Sequence, residues 1–197
     1  MATPPDFTSG AILTAAQMNL IGSWKMVPTS ATNGTVDSQG TVTSTGSTTS
    51  FSANGCFTGD FNSYRVICRV DNFSASDDFY FRVRSGTTDL STGTPYLWSA
   101  VKGNTAGTVN GEGSAADSRV KLGSQTGSAS SHAVLDFMNI FNTKETSFTG
   151  QNVGNFANIT SWTIGGYVNN SNSYDGITFL SNGSANITGQ IDVYGYN

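Results

Sequence analysis

Apolar residues recur at every second position in several stretches of this chain, and only one short run carries the capping signals of a helix. Tyr64, Val66, Cys68 and Val70 alternate with Arg65, Ile67 and Arg69. Successive side chains of a strand point to opposite faces, so this run predicts a strand with a buried face. Phe79, Phe81 and Val83 repeat the pattern against Tyr80, Arg82 and Arg84. Pro95 to Lys102 sets Tyr96, Trp98 and Ala100 opposite Leu97 and Val101. From His132 to Phe141, Val134, Met138 and Ile140 face Leu135, Phe137 and Phe141 across the strand. With both sides apolar, that strand belongs inside a sheet or between sheets. Ser161 to Val168, Gly176 to Leu180 and Asn186 to Tyr196 read as further strands. Residues 103–131, polar and Gly-rich except for Val120 and Leu122, predict a long loop with one short hairpin. Roughly eight short strands separated by turn clusters, with no helical spacers, predict an all-β fold, an antiparallel β-sandwich of jelly-roll-like type. No repeat of 20–50 residues suggests a solenoid or propeller.

Composition supports the same class. Ser, Thr, Gly and Asn supply 93 of the 197 residues, and only 11% are charged. Strand-favouring Val, Ile, Thr, Phe, Tyr and Trp number 70, against 42 strong helix formers. Eleven Asp against two Glu point to turns over helices. A pI of about 4.7 with nine scattered Lys and Arg gives no electrostatic footprint for nucleic acid or an anionic membrane. No apolar stretch reaches the roughly 20 residues of a membrane span. The start, MATPPDFTSG, has neither the basic nor the apolar region of a secretory signal. Synthesis in a cytosol follows, with Cys56 and Cys68 expected to be reduced and buried; a cross-strand disulfide is the alternative. Six Asn-x-Ser/Thr sequons occur, about as many as this Ser/Thr content gives by chance.

Three segments are expected. Residues 1–28 carry the helix: Thr14 and Gln17 form a capping box, Leu13 and Met18 a hydrophobic staple, and Gly22 a C-terminal stop. Two turns cannot stand alone in water. Met18, Leu20, Ile21 and the following Trp24 therefore either cap the domain's own core or, with Leu13, form a docking anchor for another protein or for symmetry mates. Residues 29–50 read as a Ser/Thr/Gly-rich connector. Alternating Thr and Val from Thr35 to Thr43 favour strands there over a flexible linker. Residues 51–197 form the β-sandwich head.

The chain offers little for catalysis. His132 is the only histidine, and Asp136, four residues on, lies about 13 Å along the same strand face. One His and two Cys do not make a structural zinc site. Glycoside hydrolysis needs two carboxylates across a cleft. Glu112, Glu145 and the pair Asp77-Asp78 are the candidates, and the pair reads as a turn without a calcium-loop pattern. Gly-rich GNTAGTVNGEGS lacks the Lys-Ser/Thr and helix of a phosphate loop. The expectation is no catalytic residue, cofactor or metal. Tyr96, Trp98, Tyr174, Tyr194 and Tyr196 either stack on a receptor's sugar rings or fill the core or a subunit seam.

Three segments carry a family resemblance. DFTSGAILTAAQMNLIGSW (Asp6 to Trp24) resembles the N-termini of bacteriophage tail-fibre and minor virion proteins, which open with a turn, LTAAxMN and a short helix. CFTGDFNSYRVIC (Cys56 to Cys68) and NITGQIDVYGYN (Asn186 to Asn197) resemble the same proteins, notably those of phages infecting cyanobacteria. Together they cover about 45 of the 197 residues. The resemblance implies a non-enzymatic virion component on the tail, neck or capsid. It would be made in a bacterial host's cytoplasm and dock on other virion proteins through its N-terminus. It would assemble with identical subunits as a homotrimer and project a β head, with a host glycan or protein as further partner. The competing readings are a standalone carbohydrate-binding module and a hydrolase.

Overall fold

A computed structural model describes residues 23–156 and 158–196. The helix expected over residues 14–22, and Leu13, Met18, Leu20 and Ile21 with it, lie outside the described residues. Every element found is a strand. In chain order these are β1 Trp24–Lys25, β2 Ser30–Thr32, β3 Gly34–Val36, β4 Val42–Ser44, β5 Ser50–Asn54, β6 Ser63–Phe73, β7 Asp77–Ser85 and β8 Thr88–Asp89. They continue as β9 Tyr96–Asn104, β10 Val109–Asp117, β11 Val120–Gln125, β12 Ser131–Met138, β13 Thr146–Phe156, β14 Asn158–Val168, β15 Gly176–Ser181 and β16 Ile187–Tyr196.

The strands form two antiparallel sheets that share one core. The ten-stranded sheet runs β10-β9-β14-β13-β12-β6-β16-β4-β3, with β1 also on β16, and the six-stranded sheet runs β11-β7-β15-β5-β2, with β8 also on β7. From β4 to β7 and again from β11 to β12 the chain changes sheet at each connection, as it does from β15 to β16. Two excursions interrupt this alternation. The hairpin β9-β10 and the pair β13-β14 both enter the ten-stranded sheet, where β9 and β14 pair with each other.

Local chemistry sets the turns. Between β3 and β4, the Asp37 carboxylate accepts hydrogen bonds from the backbone N–H of Gln39 (2.8 Å) and Thr41 (2.9 Å). Gly40 follows at φ +81°, where a side chain would also strike the Met26 carbonyl. Asn104 plays the same part in the β9-β10 turn, accepting from Ala106 and Thr108.

The core holds the expected faces of β6, β7 and β9: Tyr64, Val66, Cys68 and Val70, then Phe79, Phe81 and Val83, then Tyr96, Trp98 and Ala100. Phe81 and Phe137 meet edge to face at 5.6 Å across the sheets. The Tyr96 hydroxyl accepts from Val83 N–H (3.0 Å) and donates to the Leu90 carbonyl (3.1 Å), tying β9 to the other sheet.

Four expectations need correction. Residues 103–131 are not mainly loop: β10 and β11 occupy them in different sheets. β10 is an edge strand exposed along most of its length, so it carries no apolar stripe to read. β13 was not anticipated. Ile140 packs with Leu135 and Phe137 instead of opposite them, because Asn139 at φ 62° ends β12 and redirects the chain. Arg84 lies opposite Phe79, Phe81 and Val83 but is only 3% exposed. It is covered where the chain turns back into β8, and donates to the carbonyl of Thr87. Residues 29–50 hold β2, β3 and β4, paired into both sheets.

Cys56 and Cys68 are free and buried, and burial pushes both thiols well above their ordinary pKa. The expected result with a thiol-specific chromogenic reagent is no fast reaction in the native protein and full reaction of both cysteines in denaturant.

Candidate functional site

The outer face of the ten-stranded sheet gathers the features that can meet a partner. Register places Ser99, Gly165, Thr149, Asp136, Arg65 and Tyr194 on one line across β9, β14, β13, β12, β6 and β16. The neighbouring line runs Val101, Thr163, Gln151, Val134, Ile67 and Asp192. All face away from the core, because their sequence neighbours on each strand point into it. Between these lines lies a trough of about 750 Å³, lined by the polar Arg65, Asp136, Ser99, Thr149, Gln151 and Thr163 and by as many aliphatic residues and glycines, a mixed surface of the kind a sugar's hydroxyls and C–H faces can both meet. A second hollow of about 350 Å³ adjoins it at Arg65, lined also by Ser23, Ile67, Tyr194 and Tyr196.

Arg65 and Asp136 form the charged centre. Directly opposite on paired strands, they make a two-pronged contact, Nε to Oδ1 at 2.8 Å and Nη2 to Oδ2 at 2.9 Å. The Tyr196 hydroxyl donates to Asp136 Oδ1 at 3.2 Å. Burial, and then the Asp136 charge, raise the Tyr196 phenol above its ordinary pKa. A half-exposed pair contributes little to stability, but its fork geometry fixes both side chains in orientation.

Apolar side chains flank the trough. Among the described residues nine large apolar side chains are exposed, and Val101, Val109, Met138, Val153, Ile159 and Tyr167 all belong to this one face. Val109, Val153 and Ile159 sit toward the turns of the two excursions, and Met138 and Tyr167 toward the opposite end.

The sequence candidates divide. Tyr96, Trp98 and Tyr174 are 0%, 8% and 3% exposed, so they belong to the core and cannot stack on a ligand. Their rings fall on inward positions, or in Tyr174 on a loop whose N–H bonds the Ile140 carbonyl. Tyr194 and Tyr196 are half-buried and line the hollow beside Arg65. Trp24 is 39% exposed in β1, paired opposite Gly195. His132 is exposed, and Asp136 bonds Arg65 and Tyr196. Asp77 accepts the backbone N–H of Ser184 and Ala185 and so holds a turn. Sequence reading missed Arg65, Asp136, Thr149, Gln151 and Thr163 as a group, because they come from four strands. The outward phase of each strand was the one available signal.

Glu112 and Asp78 serve a different purpose. Lys121 of β11 bridges Asp78 of β7 (3.1 Å) and Glu112 of β10 (3.0 Å), and Lys102 of β9 reaches Glu112 at 2.9 Å. This clasp ties the two sheets along one side. Desolvation acts to raise both carboxyls, but hydrogen bonds from Lys102, Lys121 and Ser124 outweigh it, so both titrate below their ordinary values of 4.5 and 3.8. A depressed folded pKa stabilises the protein above the unfolded pKa, and that gain is lost as pH falls through the folded one. Lys121→Met should therefore melt earlier than the parent at neutral pH, and the gap should close as pH drops below about 4. Thermal melts of both proteins across an acid series test this; a constant gap would contradict it.

No protein-family model matches the chain, and comparison with curated proteins finds no match.

Proposed function

We propose that this chain is a non-enzymatic structural component of a bacteriophage virion: a tail fibre, or a fibre or knob on the capsid or neck. It docks through its N-terminal segment and projects the β body. The observation that carries the reading is the collection of six exposed apolar side chains on one face of the ten-stranded sheet, on a chain with 11% charged residues. A free monomer gains solubility from charge, whereas a subunit among identical neighbours has a use for uncharged, apolar surface. Strand order supports it too. β4-β16-β6-β12 facing β5-β15-β7-β11 is the double Greek key of a jelly roll, an architecture common in viral capsid proteins and lectins. The phage-like segments at Asp6 to Trp24, Cys56 to Cys68 and Asn186 to Asn197 point the same way. Contact between identical subunits, as a homotrimer, falls to the Val109, Val153 and Ile159 end of the face.

Two measurements test this. Sedimentation equilibrium should give a trimer that Val153→Lys with Ile159→Lys dissociates. Deleting residues 1–24 should abolish incorporation into particles while leaving a folded oligomer. Normal incorporation of the shortened chain, or a monomeric parent, would overturn the proposal.

A further inference from the structure

We infer that the trough across the ten-stranded sheet is a binding site for a short, uncharged oligosaccharide, centred on Arg65 and Asp136 and ending on Tyr194 and Tyr196. Charge narrows the ligand class first. Arg65 and Asp136 neutralise each other through two short contacts, and Ser99, Thr149, Gln151 and Thr163 beside them are uncharged. An anion would meet a guanidinium already paired, and a cation a carboxylate whose two oxygens already accept three hydrogen bonds. A neutral ligand loses nothing to either.

Hydrogen-bonding capacity narrows it further. A guanidinium has five N–H groups, and Arg65 spends two of them on Asp136, leaving three among the described residues. The hydroxyls of Ser99, Thr149 and Thr163 and the amide of Gln151 each donate and accept. Sugar hydroxyls also donate and accept, so a sugar can pair with every one of these groups, whereas an apolar ligand would strand them.

Shape agrees. The trough runs from β9 to β6 across five paired strands, a span of about 19 Å at the usual strand spacing, which suits an elongated chain. Gly165 lies on the line from Ser99 to Arg65 that borders it, and a Cβ there would find no heavy atom nearer than the Phe148 carbonyl oxygen at 3.8 Å. At the β16 end, Tyr194 and Tyr196 stand on the same face about 7 Å apart and line the adjoining hollow. The Tyr196 ring is anchored through its hydroxyl on Asp136, and such a ring offers a flat apolar surface to the C–H face of a pyranose.

This inference rests on the virion reading only in taking the sugar to be one met on a cell surface. The full chain, labelled and applied to an array of short neutral gluco-, manno- and galacto-oligosaccharides beside sulfated and uronic-acid ones, should bind among the neutral set alone. Thr163→Trp fills the trough without touching the ion pair, and Arg65→Gln removes the fork. Each should weaken binding by more than about tenfold, with an unchanged melting temperature for Thr163→Trp as the check on folding. Silence from every neutral oligosaccharide, preference for acidic ones, or undiminished binding by folded Thr163→Trp would overturn the inference. The array reads the trough whether or not particles carry the chain, so its failure and that of the virion reading are separable.

Discussion

Phe81→Ala should cost the protein about 3–5 kcal/mol, the range for emptying a well-packed aromatic site in a core. Phe81 is fully buried on β7, and its ring lies 5.6 Å from Phe137, 5.2 Å from Phe148 and 6.5 Å from Tyr96, all near perpendicular. Those three rings belong to β12, β13 and β9, so one side chain of the smaller sheet supports three strands of the larger. Truncation removes the buried surface and leaves a void that two sheets held by backbone ladders cannot close. Against a total of roughly 5–15 kcal/mol for a domain, this is a large share. Urea unfolding should show a lower midpoint with an unchanged slope; a loss below about 1 kcal/mol would mean that the sheets do not meet at Phe81.

Gly166→Ala is the second large effect, and its neighbour supplies the control. A Cβ at Gly166 would collide with the Leu97 carbonyl oxygen, lie 2.6 Å from the Phe148 ring edge and 2.9 Å from Trp98 Cα. Two of these three atoms are backbone and cannot rotate away, so β14 must part from β9. Overpacking of this kind costs about 1–3 kcal/mol, and more when backbone has to move. Because β9 and β14 are where the two excursions join, amide exchange should accelerate in β9, β10 and β14 while β7 and β15 stay protected. Gly165→Ala would meet only the Phe148 carbonyl oxygen, at an ordinary contact distance of 3.8 Å, and should change stability little. Equal losses at both glycines would refute the close approach.

Alternation was legible where a strand has one buried face, as in β6, β7, β9 and β16. It failed at two strands for different reasons. β10 lies at the end of the larger sheet, exposed along most of its length, and nothing selects apolar residues there. β13 does face the core, but its inward positions are Phe148, Gly150, Asn152 and Gly154. Side chains at Gly150 and Gly154 would strike Leu135 and Gln125, so close packing has removed the very residues that would have marked the strand. The candidate site was less legible than the fold. Tyr194 and Tyr196 stood out as aromatics, but Tyr96 and Trp98 carried the same signal and are core. Arg65, Asp136, Thr149 and Thr163 become neighbours only through strand register, which a period of two does not reveal.

The position of β16 has a kinetic consequence. It lies between β6 and the β4 edge, and its pairing of Gln190 with Thr43 joins residues far apart along the chain. Until β16 arrives, the larger sheet is split between β4 and β6, and both facing edges lack their partner. Closing loops of that length before their contacts form is slow, so refolding belongs to the regime of roughly milliseconds to seconds seen for non-local β topologies. The hollow beside Arg65 is therefore a late feature of folding: Tyr194 and Tyr196 line it from β16, so it takes shape only once that strand has inserted beside β6.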